Sequence, residues 1–253
     1  MKRRILSIIM AMAMTLSLMA VPAFAAEGTE QDTVAIVQTA DGQKTGYSTL
    51  HKAMQAATAG STVVLQQDVT VTSKSATKNF GVTVDLNGHN INGEALSATT
   101  PALELKTSYG SKPVEGVDST IRLINSKAPN GGTVTAKLPV RFQAGDSNKP
   151  VSGVIGDGVN LVVLDGGVTA VKLESSAYLP YSETTAKYVS NGGFRVSADG
   201  QDRIYGSYAN ATKVAAGSTI TMLNDYTGSD PIKSGNATST LDLNDRTYTY
   251  TGT

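Results

Sequence analysis

Alternation of apolar and polar residues dominates the chain after residue 60. Residues 82–88, Val-Thr-Val-Asp-Leu-Asn-Gly, alternate without a fault, and this period of two predicts β-strands. Further short strands are predicted with centres near Leu105, Leu123, Phe142 and Val163. From Val84 onward these centres are 21, 18, 19 and 21 residues apart, with Gly, Asn, Asp and Ser between them. This near-constant spacing predicts an all-β solenoid of the β-helix type, with about 20 residues in each coil.

Two other elements precede the alternating region. Val34 to Thr39 reads as a strand, and the following Asp41-Gly42 is typical of a hairpin turn, so a hairpin is predicted over residues 34–47. A helix is predicted over residues 48–59, ending at Gly60, because its apolar residues fall on one face. These residues are Leu50, Ala53, Met54 and Ala57. Such a helix could cover the open end of a stack of coils.

A β-sandwich is the alternative architecture, since it also contains short alternating strands separated by turns. The regular spacing and the preceding helix favour the solenoid. Asn87, Asn125 and Asp165 each end a predicted strand. Their side chains can bond nearby backbone groups, so they are predicted to cap turns.

The chain contains an internal repeat. The tetrapeptide Ala-Asp-Gly-Gln at residues 40–43 recurs unchanged at residues 198–201. From Gly60 onward the offset is 157, and residues 57–88 share 11 identities in 32 positions with their counterparts. Unrelated sequences of ordinary composition would share about two. The chain therefore carries a duplicated module, with residues 26–191 as the first copy and residues 192–253 as a partial second copy.

The second copy has its hairpin, helix and first strands but lacks counterparts of residue 94 onward. Two explanations are open: the polypeptide is a truncated piece of a longer repeat protein, or the half-module is a C-terminal cap. The final residues, Tyr248 to Thr251, follow a strand pattern instead of forming a polar closing element. We therefore favour truncation and expect further modules in a longer chain.

Residues 1–25 have the three parts of a secretory signal peptide. Lys2 to Arg4 form a positive start, Ile5 to Val21 are uncharged, and Ala23-Phe24-Ala25 offers a small-x-small cleavage site. The uncharged stretch is shorter than the ~20 residues that a membrane-spanning helix needs. We expect a secreted, extracellular protein that is not inserted in the membrane after cleavage and that can be associated with the cell wall.

Composition and charge exclude several function classes. The 253 residues contain no Cys, which excludes disulfide frameworks and thiolate chemistry. They contain two His, which are few residues for a histidine-based metal site or catalytic triad. The signal peptide holds three of the 21 basic and none of the 21 acidic residues, so the mature chain has a net charge of −3. Nucleic-acid binding needs clustered Lys and Arg, and we predict no nucleic-acid partner.

The order of these motifs resembles a known family. Residues 47–53, 60–68 and 82–91 look like the opening module of large secreted surface proteins of Clostridia and related Firmicutes. The resemblance covers about Val34 to Gly93 closely and the second copy less closely, with Asp245 in place of the glycine. It implies a pectate-lyase-like right-handed parallel β-helix and a modular, adhesive role at the cell surface. The shared motif is structural and does not imply an enzyme.

Some relatives of that fold are enzymes, so candidate catalytic residues need consideration. Lyases of this class use an arginine base with acidic calcium ligands. Arg141, Asp146, Asp157 and Asp165 lie on successive predicted turns and could meet on one face. The alternative, which we favour, is that they are solvated turn residues and caps.

Other potential site residues also have structural interpretations. His51 is predicted to be solvated on the helix, and His89 to be packed or exposed at a turn, because its counterpart in the second copy is Arg246. Asp85 and Asp242 are predicted to be turn residues and not ligands of a calcium site. Tyr178, Tyr181 and Tyr188 are candidates either for a sugar-stacking surface or for packing.

The sequence thus assigns no catalytic, metal-binding or cofactor-binding residue, and no cofactor is predicted. The leading hypothesis is a secreted bacterial surface module, non-enzymatic, that serves as a stalk or as an adhesive surface towards extracellular glycans or host surface molecules. The alternatives are a polysaccharide-active β-helix enzyme, either a lyase or a glycoside hydrolase, and an inert spacer.

Overall fold

A computed structural model describes residues 25–26, 33–146, 148–214, 217–229, 231–232 and 239–252. The predicted signal peptide, apart from Ala25, lies outside the described residues. Within them, strands predominate and there are three short helices: α1 (Leu50–Ala56), α2 (Glu183–Tyr188) and α3 (Tyr208–Thr212). The described part of the chain is therefore mostly β, in agreement with the alternation of apolar and polar positions.

Twelve strands form the largest sheet, sheet A. Their spatial order is β1 (Ala25–Ala26), β3 (Lys44–Tyr47), β2 (Ala35–Gln38), β4 (Thr62–Leu65), β7 (Thr83–Asp85), β10 (Ile121–Ile124), β13 (Val151–Ile155), β16 (Ala177–Pro180), β18 (Gln201–Tyr205), β17 (Phe194–Ala198), β19 (Thr219–Met222) and β21 (Thr240–Asp242). Pairing is parallel from β4 to β16. The hairpins β2–β3 and β17–β18 pair antiparallel, both internally and with β4 and β19.

Two smaller parallel sheets accompany sheet A. Sheet B contains β5 (Val69–Thr70), β8 (Ile91–Gly93), β11 (Thr133–Ala136) and β14 (Asn160–Val163), and sheet C contains β6 (Ser75–Ala76), β9 (Leu103–Lys106), β12 (Val140–Gln143) and β15 (Val171–Glu174). In the second copy, β20 (Tyr226–Gly228) pairs in parallel with β22 (Tyr248–Tyr250). From β4 to β16 the chain visits sheets A, B and C in turn, so each strand pairs with the third strand after it.

The near-constant spacing predicted between equivalent strands is wrong. The five predicted centres lie in β7, β9, β10, β12 and β14, which belong to three different sheets. In sheet A, Val63 pairs with Val84, and Val84 pairs with Leu123, so the sequence separation nearly doubles from the first pair to the second. A period of two identifies strands, but the connecting loops decide which strands become neighbours.

The core lies between the sheets and is built from the inward-facing residues of each strand. Val63, Val84 and Leu123 are register partners in neighbouring strands, and all three are fully buried. Phe142 from sheet C fills the same interior and faces Gly153 of β13, where an added Cβ would lie 2.6 Å from the Phe142 ring. The glycine is therefore needed to admit the ring, because protein interiors are close-packed.

Helix α1 packs against the hairpin β2–β3 and against strands β4 and β6. The Thr49 side chain accepts a hydrogen bond from the Lys52 backbone N–H, which caps the first turn, and Leu50, Ala53 and Met54 are buried. The helix is shorter than the predicted span of 48–59. It ends at Ala56 because Ala57 adopts extended backbone angles, while the Ala57 N–H still bonds the Ala53 carbonyl.

Candidate functional site

Charged side chains line the outer face of sheet C. Glu104, Arg141 and Lys172 are register partners on β9, β12 and β15. Two residues further along, Lys106 and Glu174 lie on the same face, because side chains alternate along a strand. With Lys74, which precedes β6, these residues form a group that we call the charged ladder: Lys74, Glu104, Lys106, Arg141, Lys172 and Glu174.

Glu104 is the centre of the charged ladder. Its side chain is 1% exposed, and it pairs with Lys74 at 3.0 Å, with Lys106 at 3.1 Å and with Arg141. Burial alone would raise the pKa of Glu104, but hydrogen bonds from these three cations outweigh burial and hold the pKa below its ordinary value of 4.5. The carboxylate is therefore ionised at neutral pH.

The ladder extends across β15 through Glu174. Glu174 lies 3.5 Å from Arg141 and 2.7 Å from Lys172. Four cations thus surround two carboxylates. The outermost cations, Lys74 and Lys172, are 46% and 53% exposed, whereas Glu104 lies beneath them. The surface of the ladder consequently presents positive charge to solvent.

Two cavities flank the charged ladder. One of about 440 Å³ is lined by Lys74 and Arg141 together with the hydroxyl groups of Thr72, Ser73 and Thr100. The other, of about 600 Å³, contains Lys137, Lys172 and Glu174 and reaches residues of the second copy, including Ser207, Asn210 and Thr227. Both volumes lie within the usual range for ligand-binding clefts, and both linings combine cations with hydroxyl groups.

The four residues considered as a lyase-like group do not form one site. Arg141 pairs with Glu104 and Glu174, and Asp146 pairs with Lys149 at 3.7 Å. Asp157 and Asp165 lie in exposed turns on either side of β14, a strand of sheet B.

Sequence reasoning missed the two glutamates that do meet Arg141. Their strands, β9 and β15, pair with β12 across long stretches of chain, and loop lengths set those separations. A local signal was nevertheless present. Glu104, Arg141 and Lys172 each stand between two buried apolar residues, an unusual position for a charge.

The predicted turn residues Asn87 and Asn125 bond backbone groups of neighbouring strands and turns. The Asn87 side chain donates to the Leu65 carbonyl at 2.9 Å, and the Asn125 side chain accepts from the Gly88 N–H at 2.8 Å and donates to the Gly158 carbonyl at 3.1 Å. Asp165 is not equivalent to them, because β14 belongs to sheet B and not to sheet A.

Asp85 and Asp242 also bond turn backbone. The Asp85 carboxylate accepts from the backbone N–H groups of Asn87 at 2.8 Å and Ser126 at 3.0 Å, and Asp242 accepts from Asn244 at 2.9 Å. Among the described residues there is no group of three or more His, Cys, Asp or Glu that could hold a metal ion.

A separate groove of about 520 Å³ lies beside α1. His51 lines it, with its Nδ1 atom 3.3 Å from the Lys74 carbonyl, and Asp68, which precedes β5, lines it as well. His89 Nδ1 lies 3.5 Å from Asp68. The Asn90 backbone N–H, which donates to Asp68, lowers the pKa of that carboxyl. His51 is exposed on α1, and His89 is half-buried at a turn, so the contacts of both imidazoles are those of surface residues.

The tyrosine run packs at the junction between the copies. The Tyr178 ring lies 5.5 Å from the Tyr205 ring and 4.8 Å from the Arg203 guanidinium, and Arg195 lies 4.2 Å over Tyr181. Cations therefore occupy ring faces that a sugar would need. Of the two interpretations of these residues, the contacts favour packing.

None of the helices in the described ranges is both long and apolar enough to cross a membrane. Comparisons of the chain with family models, with curated proteins and with solved structures found no match.

Proposed function

We propose that this chain is a secreted, non-enzymatic module of a bacterial cell-surface protein, built on a right-handed parallel β-helix, with an adhesive face on sheet C. The observation that carries the fold is the pairing of each strand from β4 to β13 with the third strand after it. A helical coil that adds one strand to each of three sheets produces this order. A β-sandwich would instead pair its strands mostly antiparallel. Parallel crossovers are almost always right-handed, which gives the hand of the coil.

Repetition of the module supports a modular surface protein. Register pairs of β4 with β7 recur in β19 with β21 at an offset of 157, as in Thr62–Thr83 and Thr219–Thr240. The bond from Asn87 to the Leu65 carbonyl recurs from Asn244 to the Met222 carbonyl at 3.2 Å. Duplication of a structural unit lengthens a stalk and adds surface without requiring new chemistry.

The adhesive face that we propose is the charged ladder with its two flanking cavities. Its exposed cations and hydroxyl groups suit glycans that carry carboxylate, sulfate or phosphate groups, since such ligands accept hydrogen bonds and bear negative charge. The buried Glu104 holds the cations in fixed positions, so less side-chain entropy is lost when a ligand binds. The predicted signal peptide would deliver this face to the cell exterior.

A glycan array probed with the purified protein tests this proposal. We expect binding to acidic glycans that weakens with added salt and falls at least about tenfold in a Lys74→Gln/Lys172→Gln double variant. Lys187→Gln, which removes an exposed lysine on α2, is the matched control and should leave binding unchanged. Absence of acidic-glycan binding, or equal loss in both variants, would contradict the adhesive role of the ladder.

A second candidate function is polysaccharide cleavage, which the meeting of Arg141 with two carboxylates favours. In a lyase, a base removes the proton next to a uronate carboxylate, the glycosidic C–O bond breaks, and an unsaturated sugar forms. Here both carboxylates are paired with cations, and the guanidinium is engaged by them. An assay on pectin with added calcium distinguishes the two functions. An ultraviolet-absorbing product that forms with the wild-type protein and not with Arg141→Ala would overturn the non-enzymatic proposal. Absence of such a product with the wild-type protein would support the non-enzymatic proposal.

A further inference from the structure

The cavity of about 600 Å³ is bounded by both copies of the module, and we call it the junction cavity. The second copy contributes Ser207, which precedes α3, and residues 226–229, which include β20. The first copy contributes β15 and residues that precede it, among them Lys137. A ligand in the junction cavity would therefore touch both copies at once.

The wall that the second copy contributes repeats the groove beside α1. Three hydroxyl-bearing positions line both sites. They are Thr49, Thr70 and Thr72 beside α1, and their counterparts Ser207, Thr227 and Ser229 in the junction cavity, which we call the hydroxyl row. Each copy thus offers hydroxyl groups at the same place, between the start of its helix and the strand that follows.

The two sites differ in charge. Among the described residues that line the groove beside α1 there is an aspartate, Asp68, and neither a lysine nor an arginine. The junction cavity instead contains Lys137 and Lys172, because its opposite wall is the end of sheet C. The same row of hydroxyl groups therefore faces cations only in the junction cavity.

A glycine lets the second copy lie directly against β15. A Cβ built on Gly206 would lie 2.1 Å from the carbonyl oxygen of Leu173, so a larger residue would force the two apart. The counterpart of Gly206 in the first copy is Ser48. The second copy thus has a glycine at the point of closest approach, and this approach places the hydroxyl row beside the lysines.

The two lysines differ in how far their charge is neutralised. Lys172 is exposed and pairs with Glu174 at 2.7 Å, and Glu174 also lies 3.5 Å from Arg141. Lys137 is half-buried, and no carboxylate of the described residues forms an ion pair with it. A cation without a counter-ion in a cleft attracts anionic ligands.

We propose that the junction cavity binds one acidic sugar of an extracellular glycan and that this sugar bridges the two copies. Lys137 and Lys172 pair with its carboxylate, sulfate or phosphate group. The hydroxyl row of the second copy bonds the hydroxyl groups of the sugar. This inference rests on the proposed adhesive face, and it adds that the second copy completes one of the two cavities of that face.

Titration calorimetry of the purified protein tests the inference with carboxylated, sulfated and phosphorylated disaccharides, and the neutral parent of each disaccharide is the ligand control. We expect saturable binding of at least one acidic disaccharide and no binding of its neutral parent. Lys137→Gln should weaken this binding at least about tenfold, because it removes a charge-assisted hydrogen bond. Thr227→Val should weaken it about threefold to tenfold, since it removes one hydroxyl group and keeps the shape of the side chain. Thr70→Val, the same change at the equivalent position of the first copy, is the matched control and should bind normally.

Amide hydrogen exchange gives a second measurement that does not depend on the variants. The bound disaccharide should protect residues 171–175 and residues 226–229 together, because it contacts both copies. Residues 69–73, in the groove beside α1, should be unchanged. Protection confined to one copy would overturn the inference.

The outcomes separate this inference from the proposed function on which it rests. Binding that is unaffected by Lys137→Gln and Thr227→Val but lost in Lys74→Gln would place the ligand in the other cavity, which overturns the inference and keeps the adhesive face. Binding of acidic glycans on the array without binding of any acidic disaccharide would also overturn the inference alone. No binding of acidic glycans in either experiment would overturn the adhesive role as well.

Discussion

Strands β4 and β7 and their counterparts β19 and β21 are two copies of one structure in two environments. The hydrogen bond from the Asn90 N–H to Asp68, 2.9 Å long, recurs from the Thr247 N–H to Asp225 at 2.8 Å. What differs is burial: β10 pairs with the outer edge of β7, whereas among the described residues β21 has β19 as its one neighbour. Local residues therefore determine the turn and the register, while the next strand of the sheet determines burial.

The two hairpins show the opposite lesson, because the same tetrapeptide forms two different turns. At residues 39–43 the Thr39 N–H bonds the Gln43 carbonyl at 2.9 Å, and only Gly42 has a positive φ, of 86°. In the second copy Ala198 pairs directly with Gln201, and both Asp199 and Gly200 have positive φ values, of 51° and 73°. The second is a two-residue turn of the type that suits strand twist. Strand β18 also pairs antiparallel with β16, whereas its counterpart β3 pairs in parallel with β1.

The largest effect should come from Glu104, which lies on β9, in the part of the first copy that has no counterpart in the second. Glu104→Ala leaves Lys106 and Arg141 without their buried partner and should lower the free energy of unfolding by about 3–5 kcal/mol. Urea denaturation followed by far-ultraviolet circular dichroism measures it. Glu174→Ala, which removes a more exposed partner, should cost below about 1 kcal/mol. Equal effects of the two variants would mean that burial does not distinguish these carboxylates.

The paired leucines test the comparison of the copies directly. Leu86→Ala removes a fully buried side chain and should lower the free energy of unfolding by about 2–4 kcal/mol, whereas Leu243→Ala should cost below about 1 kcal/mol. Both variants are measured by urea denaturation at the same pH. A large loss in Leu243→Ala would show that β21 is covered in solution.

Much of the fold was accessible from the sequence because its signals are local. The Asp41-Gly42 turn and the apolar face of α1 depend on residues within a few positions of each other. The charged ladder was not accessible, because Glu104, Arg141 and Lys172 are brought together by loops of unequal length. The prediction of a constant spacing between equivalent strands was wrong for the same reason, because the pattern within a strand does not determine the length of the loops between equivalent strands.

Acid should lower the stability of the first copy because it protonates Glu104. Because the folded-state pKa of Glu104 is lowered, its contribution to stability is present above the ordinary value of 4.5 and is lost as the pH falls through the folded-state pKa. Below pH 4.5 the wild-type protein should lose stability more steeply than Glu104→Gln, by at most about 1.4 kcal/mol per pH unit. Denaturation midpoints between pH 6 and pH 3 measure the difference, and parallel curves would count against an ionised, paired Glu104.

The smallest effect separates the two turns. In the second turn, Asp199 has the left-handed backbone that glycine adopts freely, so Asp199→Gly relieves strain and should leave stability unchanged or raise it by up to about 0.5 kcal/mol. Asp41 is not in that region, so Asp41→Gly adds freedom to the unfolded chain and removes the hydrogen bond from the Thr39 hydroxyl, and it should cost about 0.5–1 kcal/mol. Both aspartates are exposed, and loss of the Asp199 pair with Arg203 should matter little. Thermal unfolding of the two variants compares them, and a cost of the same sign and size in both would mean that the two hairpins share one turn geometry in solution.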